Sequence, residues 1–115
     1  MVRVEISRSI SGGNIISYRS EGHAYYDVHG KDIVCAGVST VTFGTFNSIE
    51  ALVGIVPKHT IDHGYLEVTI PKKLDSKKSE QVQLLLESMV VMLNTIKESY
   101  GEFLTIEQTI QKAID

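Results

Sequence analysis

The amino-acid sequence predicts an α+β fold in which two amphipathic helices pack on a mostly antiparallel sheet of about four strands, in the order β-β-α-β-α-β. Three observations lead to this prediction. Short segments in which apolar and polar residues alternate are typical of half-buried strands. Two longer segments place apolar residues three and four positions apart, as amphipathic helices do. The order in which these strands and helices alternate along the chain is typical of a fold whose helices pack on one face of a single sheet.

The N-terminal region predicts a β-hairpin. Residues 2–7 alternate between apolar and polar side chains, and the pair Gly12-Gly13 provides a turn. Residues 14–20 then form the expected second strand. Residues 21–31 lose the alternation and are predicted to be a loop.

A first helix is expected after the single cysteine. The short apolar segment 32–34 leads to Cys35 and is interpreted as a strand-like approach. From Val38 to Val56 the apolar residues follow helical spacing. Pro57 is predicted to end this helix.

The C-terminal half predicts strand, helix and strand. Residues 59–64 are expected to be a loop, and residues 66–70 alternate like a strand. Residues 82–96 carry the strongest helical stripe, which Gly101 is expected to terminate. Residues 104–107 predict a short final strand, and the tail beyond them has no clear pattern.

Composition narrows the class of protein. The 115 residues correspond to a single domain, 1–115, with 43% hydrophobic and 22% charged residues. A net charge of −3 argues against direct nucleic-acid binding through a broad basic face. No apolar run is long enough for a membrane span, and the N-terminus lacks the apolar segment of a signal peptide. We therefore expect a cytoplasmic protein.

A single cysteine excludes several kinds of site. Cys35 cannot form an internal disulfide, a multi-cysteine zinc site or an iron–sulfur cluster. We expect no cofactor and no metal. The thiol is then either a buried, inert group, which is the common fate of single cysteines, or a reactive one.

The predicted start of the first helix favours a reactive thiol. Free N–H groups and the positive end of the helix dipole would stabilise a thiolate at Cys35. The backbone N–H groups of Ala36 and Gly37 could then hold the oxyanion of a tetrahedral intermediate.

Other residues near the thiol supply the remaining chemistry. His23, twelve positions upstream, could reach Cys35 as a general base if the glycine-flanked loop folds back. Asp32 could orient this histidine or anchor the loop. Ser39 follows Cys35 by one helical turn and can share its face. A solvated loop histidine is the structural alternative.

The segments Gly22-His23-Ala24 and Gly30-x-Asp32-Ile33-Val34-Cys35-Ala36-x-Val38-Ser39 resemble the bacterial ribosomal-processing cysteine protease (Prp) family. The resemblance extends to the hairpin before these segments and the helices after them. It implies that His23 and Cys35 form a catalytic dyad, supported by positions that match the family's motif: Gly22, Asp32 and Ser39.

The same resemblance implies a function. Members of this family remove a short N-terminal extension from a large-subunit ribosomal protein, cutting after a pair of phenylalanines, and form homodimers. A peptide substrate and a homodimer are therefore the expected partners. The role of this chain would be in ribosome assembly.

Two alternatives stay open at this point. The first is a non-enzymatic ribosome-assembly or ribosome-associated binding protein with a structural thiol. The second is a metal-dependent hydrolase that uses His59, Asp62 and His63. Phe43 and Phe46 could serve a cleft or a dimer interface, but ordinary packing is the favoured interpretation.

Overall fold

A computed structural model describes residues 1–22 and 29–112. Within them, strands and helices follow the order β-β-α-β-β-α-β, with the following bounds: β1 Val2–Ser9, β2 Ile15–Glu21, α1 His29–Ser48, β3 Lys58–Asp62, β4 Tyr65–Thr69, α2 Ser76–Tyr100 and β5 Leu104–Gln111. A π-helical turn, Ile49–Val53, extends α1. The α+β class and the two helices on one sheet are confirmed.

The described part of the chain forms one mixed sheet of five strands in the order β3-β4-β2-β1-β5. The pairs β1–β2, β2–β4 and β3–β4 are antiparallel, whereas β1 and β5 are parallel. The expected count of about four strands was therefore one too few. The parallel pair follows from the topology, because α2 carries the chain from one end of the sheet to the other before β5 begins.

The core lies between the sheet and the two helices. Alternate strand residues point toward the helices, as the period of two requires. Their side chains meet the apolar stripes of α1 and α2 in one cluster, whose largest fully buried members include Ile6, Tyr18, Ile49, Leu66, Leu86, Met89 and Leu93. Phe46 belongs to this cluster and Phe43 packs against it, which confirms the packing interpretation of both.

The helix ends differ from those expected. The terminus of the π-helical turn is at Gly54, whose φ of 79° is left-handed and whose N–H donates to the Glu50 carbonyl at 3.0 Å. This geometry, rather than Pro57, ends the helix. At the start of α2, the Asp75 side chain accepts a hydrogen bond from the Lys78 N–H at 2.9 Å, which satisfies a free donor of the first turn.

The segment predicted as a loop at 59–64 is mostly a strand. β3 pairs with β4 from Lys58↔Thr69 to Asp62↔Tyr65 and forms an edge of the sheet. All five of its residues are exposed, so it lacks the clear apolar alternation of the inner strands. Its place in the sheet follows from the tight turn at Gly64, whose φ is 68°.

Candidate active site

Cys35 lies within α1, half-buried, between two fully buried neighbours on the same helix. Val34 and Val38 are each 1% exposed, whereas Cys35 packs against the edge of the core and keeps part of its surface open. A structural thiol of the inert kind would be expected to be fully buried. The position of Cys35 is therefore compatible with a reagent or substrate reaching the sulfur.

The expectation that Cys35 starts the helix was wrong. α1 begins at His29, so Cys35 is its seventh residue and Ala36 and Gly37 are the eighth and ninth. Backbone N–H groups so far into a helix donate to carbonyls one turn back and are not free to bind an oxyanion. The physical reason is that the stripe of buried residues already includes Val34, which the sequence pattern had assigned to a strand.

Gly22 ends β2 at a point where no other residue fits. Its φ is +133°, and a Cβ added there would lie 2.5 Å from the Met1 carbonyl oxygen and 2.9 Å from the Val2 Cα. Its N–H donates to the Gly64 carbonyl at 3.2 Å. A glycine is thus required for the close passage of the chain as it leaves the sheet toward residue 23.

Gly22 and Cys35 lie at the same end of the sheet. Gln83 of α2 binds Ile15 at the start of β2, and Ser48 lines a pocket with Leu85, so the C-terminal end of α1 lies over the start of β2. The N-terminal end of α1, with Cys35, lies toward the opposite end of β2, where Gly22 follows.

The buried Tyr18 fixes this alignment more closely. Its hydroxyl donates to the Thr42 carbonyl at 2.9 Å, so Tyr18 and Thr42 lie at one level. Seven helical residues back to Cys35 and three strand residues on to Glu21 each span roughly 10 Å. Burial raises the pKa of the Tyr18 phenol, which stays protonated and keeps donating this bond.

The other predicted site residues are placed as follows. His23 lies outside the residues that the structure describes. Asp32 is the fourth residue of α1. Ser39 is exposed, one helical turn beyond Cys35, as the spacing predicted.

The metal-hydrolase alternative does not fit the structure. His59 and Asp62 lie three positions apart on β3, so their side chains project from opposite faces of the sheet. The His59 ring instead packs on Phe46 at 4.7 Å between ring centroids, with Nδ1 2.9 Å from the Pro57 carbonyl. Among the described residues, no group of three or more His, Cys, Asp or Glu side chains is arranged to hold a metal ion.

A pocket of about 430 Å³ opens at the same end of the sheet as Cys35, lined by residues that include Arg3, Glu21, Gly22 and His63. A pocket of about 460 Å³ lies at the other end, between the hairpin turn and the start of α2. The two are separated by the length of the sheet, and no residue of α1 lines the first pocket, whose Arg3 and Glu21 project from the face opposite the helices.

Comparison with known proteins identifies the family. The model of the cysteine protease Prp family matches residues 1–105. The chain belongs to the cysteine protease Prp family. The ribosomal processing cysteine protease Prp of Bacillus subtilis is 39% identical over 112 residues, which cover 96% of this chain and 99% of that protein. The Prp of Staphylococcus aureus is 36% identical over 104 residues, 89% of this chain and 93% of that protein.

Solved structures of Prp proteins share the fold. A crystal structure of the S. aureus Prp with a covalently linked product peptide matches with a TM-score of 0.80 and 32% identity, over 95% of this chain and 100% of that chain. A second one, with a substrate peptide, matches with a TM-score of 0.78 over 96% and 100%. A Streptococcus mutans protein matches with a TM-score of 0.81 and 30% identity, over 96% of each chain.

Sequence reasoning missed one feature of this region. The side chains of His59 and Ile61 face the helix layer, and the His59 ring contacts Phe46 of α1. Their alternation with Lys58, Thr60 and Asp62 was the available signal. It was hidden because only one of the two is apolar.

Proposed function

We propose that this chain is a cysteine endopeptidase that removes the N-terminal extension of a large-subunit ribosomal protein, cutting after a Phe-Phe pair. The observation that carries the proposal is a half-buried, single thiol at the end of the sheet where Gly22 leads into His23, in a member of the Prp family. Its relatives are named ribosomal processing cysteine proteases. The proposed reaction belongs to the cytoplasm, where ribosomes assemble.

In the proposed mechanism, His23 takes the proton from the Cys35 thiol and the sulfur attacks the scissile carbonyl carbon. The tetrahedral intermediate collapses to a thioester as the C–N bond breaks, and the leaving amine takes the proton from His23. Water then hydrolyses the thioester, with His23 as base, and the thiol is restored. No cofactor enters this sequence.

The supporting residues act on this dyad. Gly22 permits the close backbone passage that starts the segment with His23. Asp32, in the same helix as Cys35, is proposed to orient His23 or to anchor its segment. Ser39 is proposed to contact the bound peptide or the thiol from the next turn of α1.

We also propose that the protein forms a homodimer. The second copy would bind at the outer face of the helix layer. Residues 33–49 contain no charged side chain, and residues 81–96 contain one, Glu87, which binds Arg8. Leu84, Val91 and Met92 of α2 are exposed on this face. Light scattering should give twice the chain mass, and the double variant Leu84→Glu, Val91→Glu should give the mass of one chain.

No helix in the described part of the chain is long and apolar enough to cross a bilayer. We further propose that the protein acts on its peptide without contacting nucleic acid directly, since its net charge is −3.

The test is incubation with a synthetic peptide that spans the N-terminal extension of the ribosomal protein from the same organism. Mass analysis should show two fragments whose masses sum to that of the peptide plus one water, with the cut after the Phe-Phe pair. Alkylation of Cys35 by iodoacetamide, confirmed by intact mass, should abolish both fragments. Undiminished cleavage by the fully alkylated protein would contradict the proposal.

The rival is a non-enzymatic assembly factor with a structural thiol. It predicts binding of the same peptide without cleavage and no reaction of Cys35 with iodoacetamide in the folded state. The half-buried position of Cys35 supports the protease proposal over this rival, because a purely structural cysteine is usually fully buried in the core.

A further inference from the structure

The pocket at the hairpin end of the sheet is a candidate for a second binding site, and we call it the hairpin-end cleft. It lies between the hairpin turn, the ends of the inner strands and the start of α2, and its lining includes Ser11, Asn14, Ile16, Lys72, Ser79 and Lys112. Its volume is about 460 Å³, and small-molecule sites commonly have roughly 300–1,000 Å³. The seven residues of β2, roughly 23 Å of strand, separate it from Gly22.

The strand order builds this cleft. β1 and β4 are both antiparallel to β2, and β5 is parallel to β1, so the carboxyl ends of β1, β4 and β5 meet the start of β2. β4 and β5 are three strand spacings apart, or roughly 14 Å. Lys72 follows β4 and Lys112 follows β5, and both line the cleft. The two lysines therefore lie on opposite walls.

A β-bulge gives the cleft one of its apolar side chains. Ser7 pairs with Ser17 and Arg8 pairs with Ile15, so Ile16 has no partner on β1. A bulge redirects the side chain of the extra residue and is common beside functional sites. The side chain of Ile16 is half-buried and lines the cleft.

The floor of the cleft is apolar. Ile15 and Ile70 are 1% and 8% exposed and form its deepest part. Ile16 and Leu74 are half-buried and complete the floor. An apolar body placed on these four side chains would leave water and gain contact with the edge of the core.

The rim of the cleft is positively charged. Lys72 and Lys112 line it, and no described aspartate or glutamate does. Residues 71–79 contain four lysines and one aspartate, although the whole chain has a net charge of −3. That aspartate, Asp75, accepts a hydrogen bond from the Lys78 N–H as the cap of α2. Among the described residues, neither lysine of the rim forms a salt bridge.

Neutral donors stand beside the two lysines. The side chains of Asn14, Thr69 and Ser79 line the cleft and have no hydrogen-bond partner in the described part of the chain. An amide and two hydroxyl groups can donate to the oxygens of an anion. The cleft thus combines an apolar floor with cationic and neutral donors, and its described lining lacks a carboxylate that would repel an anion.

We propose that the hairpin-end cleft binds a small amphiphilic anion, with its phosphate or carboxylate group between Lys72 and Lys112 and its apolar or aromatic body on the floor. The flexible four-carbon stems of the lysines let both ammonium groups reach one anion between the walls. A nucleoside phosphate and a fatty acid share this chemistry. The inference does not depend on the proposed protease function, because the cleft lies at the opposite end of the sheet from Gly22.

The test uses 8-anilinonaphthalene-1-sulfonate, an aromatic anion whose fluorescence rises when it binds apolar surface. The variant is the double substitution Lys72→Gln, Lys112→Gln. Its matched control is Lys73→Gln, Lys77→Gln, which removes the same charge from two lysines that do not line the cleft. All four lysines are exposed, so both variants should unfold within a few degrees of the wild type.

The wild type should bind one probe molecule per chain at constant ionic strength. Lys72→Gln, Lys112→Gln should weaken binding at least about tenfold, because the charge-assisted contacts to the sulfonate are lost. Lys73→Gln, Lys77→Gln should stay within about twofold of the wild type. Equal affinity of the two double variants would overturn the proposal, whether both bind like the wild type or both bind more weakly.

Competition with the probe then separates the two parts of the ligand. Octanoate is compared with 1-octanol, and adenosine 5′-monophosphate with adenosine, so that each pair differs only in the anionic group or its absence. At least one anion should displace the probe at a concentration about tenfold or more below its uncharged partner, and the pair that does so identifies the fatty-acid or the nucleotide source. Inorganic phosphate alone should compete at least about tenfold more weakly than that anion.

Two results of the competition would overturn the proposal. Displacement by inorganic phosphate as effective as by the better amphiphile would mean an adventitious ion only. Displacement by the uncharged partner as effective as by the anion, in both pairs, would leave an apolar surface without a role for Lys72 and Lys112.

Discussion

The two ends of the sheet are held together in different ways. At the hairpin end, Arg8 donates to both carboxylate oxygens of Glu87, at 2.6 and 2.9 Å, and to the Gly13 carbonyl. Gln83 binds both the N–H and the carbonyl of Ile15, at 2.8 and 2.9 Å. At the other end, the Gly22 N–H donates to the Gly64 carbonyl at 3.2 Å, and Gly22 lies close to the Met1 carbonyl oxygen.

This difference in contacts suggests that the hairpin end serves the stability of the fold and the Gly22 end serves the reaction. The hairpin end ties β1, β2 and α2 into one unit through side chains that have no place in the proposed reaction. At the end with Gly22 and Cys35, the described contact of Gly22 itself is made through the backbone. Functional regions are commonly the less strongly fixed parts of a fold. We therefore expect changes at the hairpin end to alter the unfolding free energy, and changes at the Gly22 end to alter the rate of peptide cleavage.

At the Gly22 end, the largest expected effect after removal of the Cys35 thiol itself comes from His23. His23→Ala should lower kcat/KM for the extension peptide at least about a hundredfold, because the base that activates the thiol is lost. His29→Ala, at a second histidine to which the motif assigns no role, is the control and should stay within a few-fold of the wild type. Equal losses in both variants would remove His23 from the dyad.

The next largest effect is expected for Gly22→Ala, which should lower both the unfolding free energy and the rate of cleavage. The added methyl group meets the Met1 carbonyl oxygen and requires an alanine at φ +133°. We expect a loss of roughly 1–3 kcal/mol in unfolding free energy, measured by chemical denaturation, together with reduced cleavage.

Gly12→Ala is the control for this strain, since nothing lies within 4 Å of a Cβ added there and its φ is not positive. It should leave both the unfolding free energy and the cleavage rate nearly unchanged. A Gly22→Ala protein as stable as Gly12→Ala would show that the close approach is not needed.

The smallest effect is expected at the hairpin end, from Glu87→Gln. The hydrogen bond from Arg8 lowers the pKa of the Glu87 carboxyl, so the ionised form is favoured in the folded state. Its contribution is present above the ordinary pKa of 4.5 and is lost as the pH falls through the lowered folded value. With Glu87 47% exposed, we expect about 1 kcal/mol at pH 7.

The measurement is denaturant unfolding of wild type and Glu87→Gln in a series of buffers from neutral pH to below the ordinary pKa of 4.5, over which the difference in unfolding free energy should shrink. Cleavage at neutral pH should be unchanged. Glu107→Gln is the control, because Glu107 lies 3.9 Å from Arg3 and is 49% exposed, and it should change stability less. If the difference in unfolding free energy did not change with pH, the effect of Glu87 would come from packing and not from its charge.

The fold was largely predictable where one face of an element is buried. β1, β2, β4 and α2 follow clear apolar periods, and their assignments are confirmed. β3 was missed because an exposed edge strand has little reason to alternate. The start of α1 was missed because a helix can begin in residues with no apolar stripe, and the first four residues of α1, 29–32, read His-Gly-Lys-Asp.

The site was predictable only through its motif. Spacing alone could not decide between a buried and an open Cys35, and it assigned oxyanion donors to Ala36 and Gly37 on the basis of a helix start six residues too late. The contact of Phe46 with His59 was beyond sequence reasoning because it joins residues of two elements through the register of β3 with β4.

The central claim is that the thiol of Cys35 is the nucleophile, and the variant Cys35→Ala tests it most directly. The change removes one half-buried sulfur, so thermal unfolding should stay within a few degrees of the wild type. The account predicts that kcat/KM for the extension peptide falls at least about a thousandfold while peptide binding persists. Cleavage by folded Cys35→Ala at a rate near that of the wild type would contradict it.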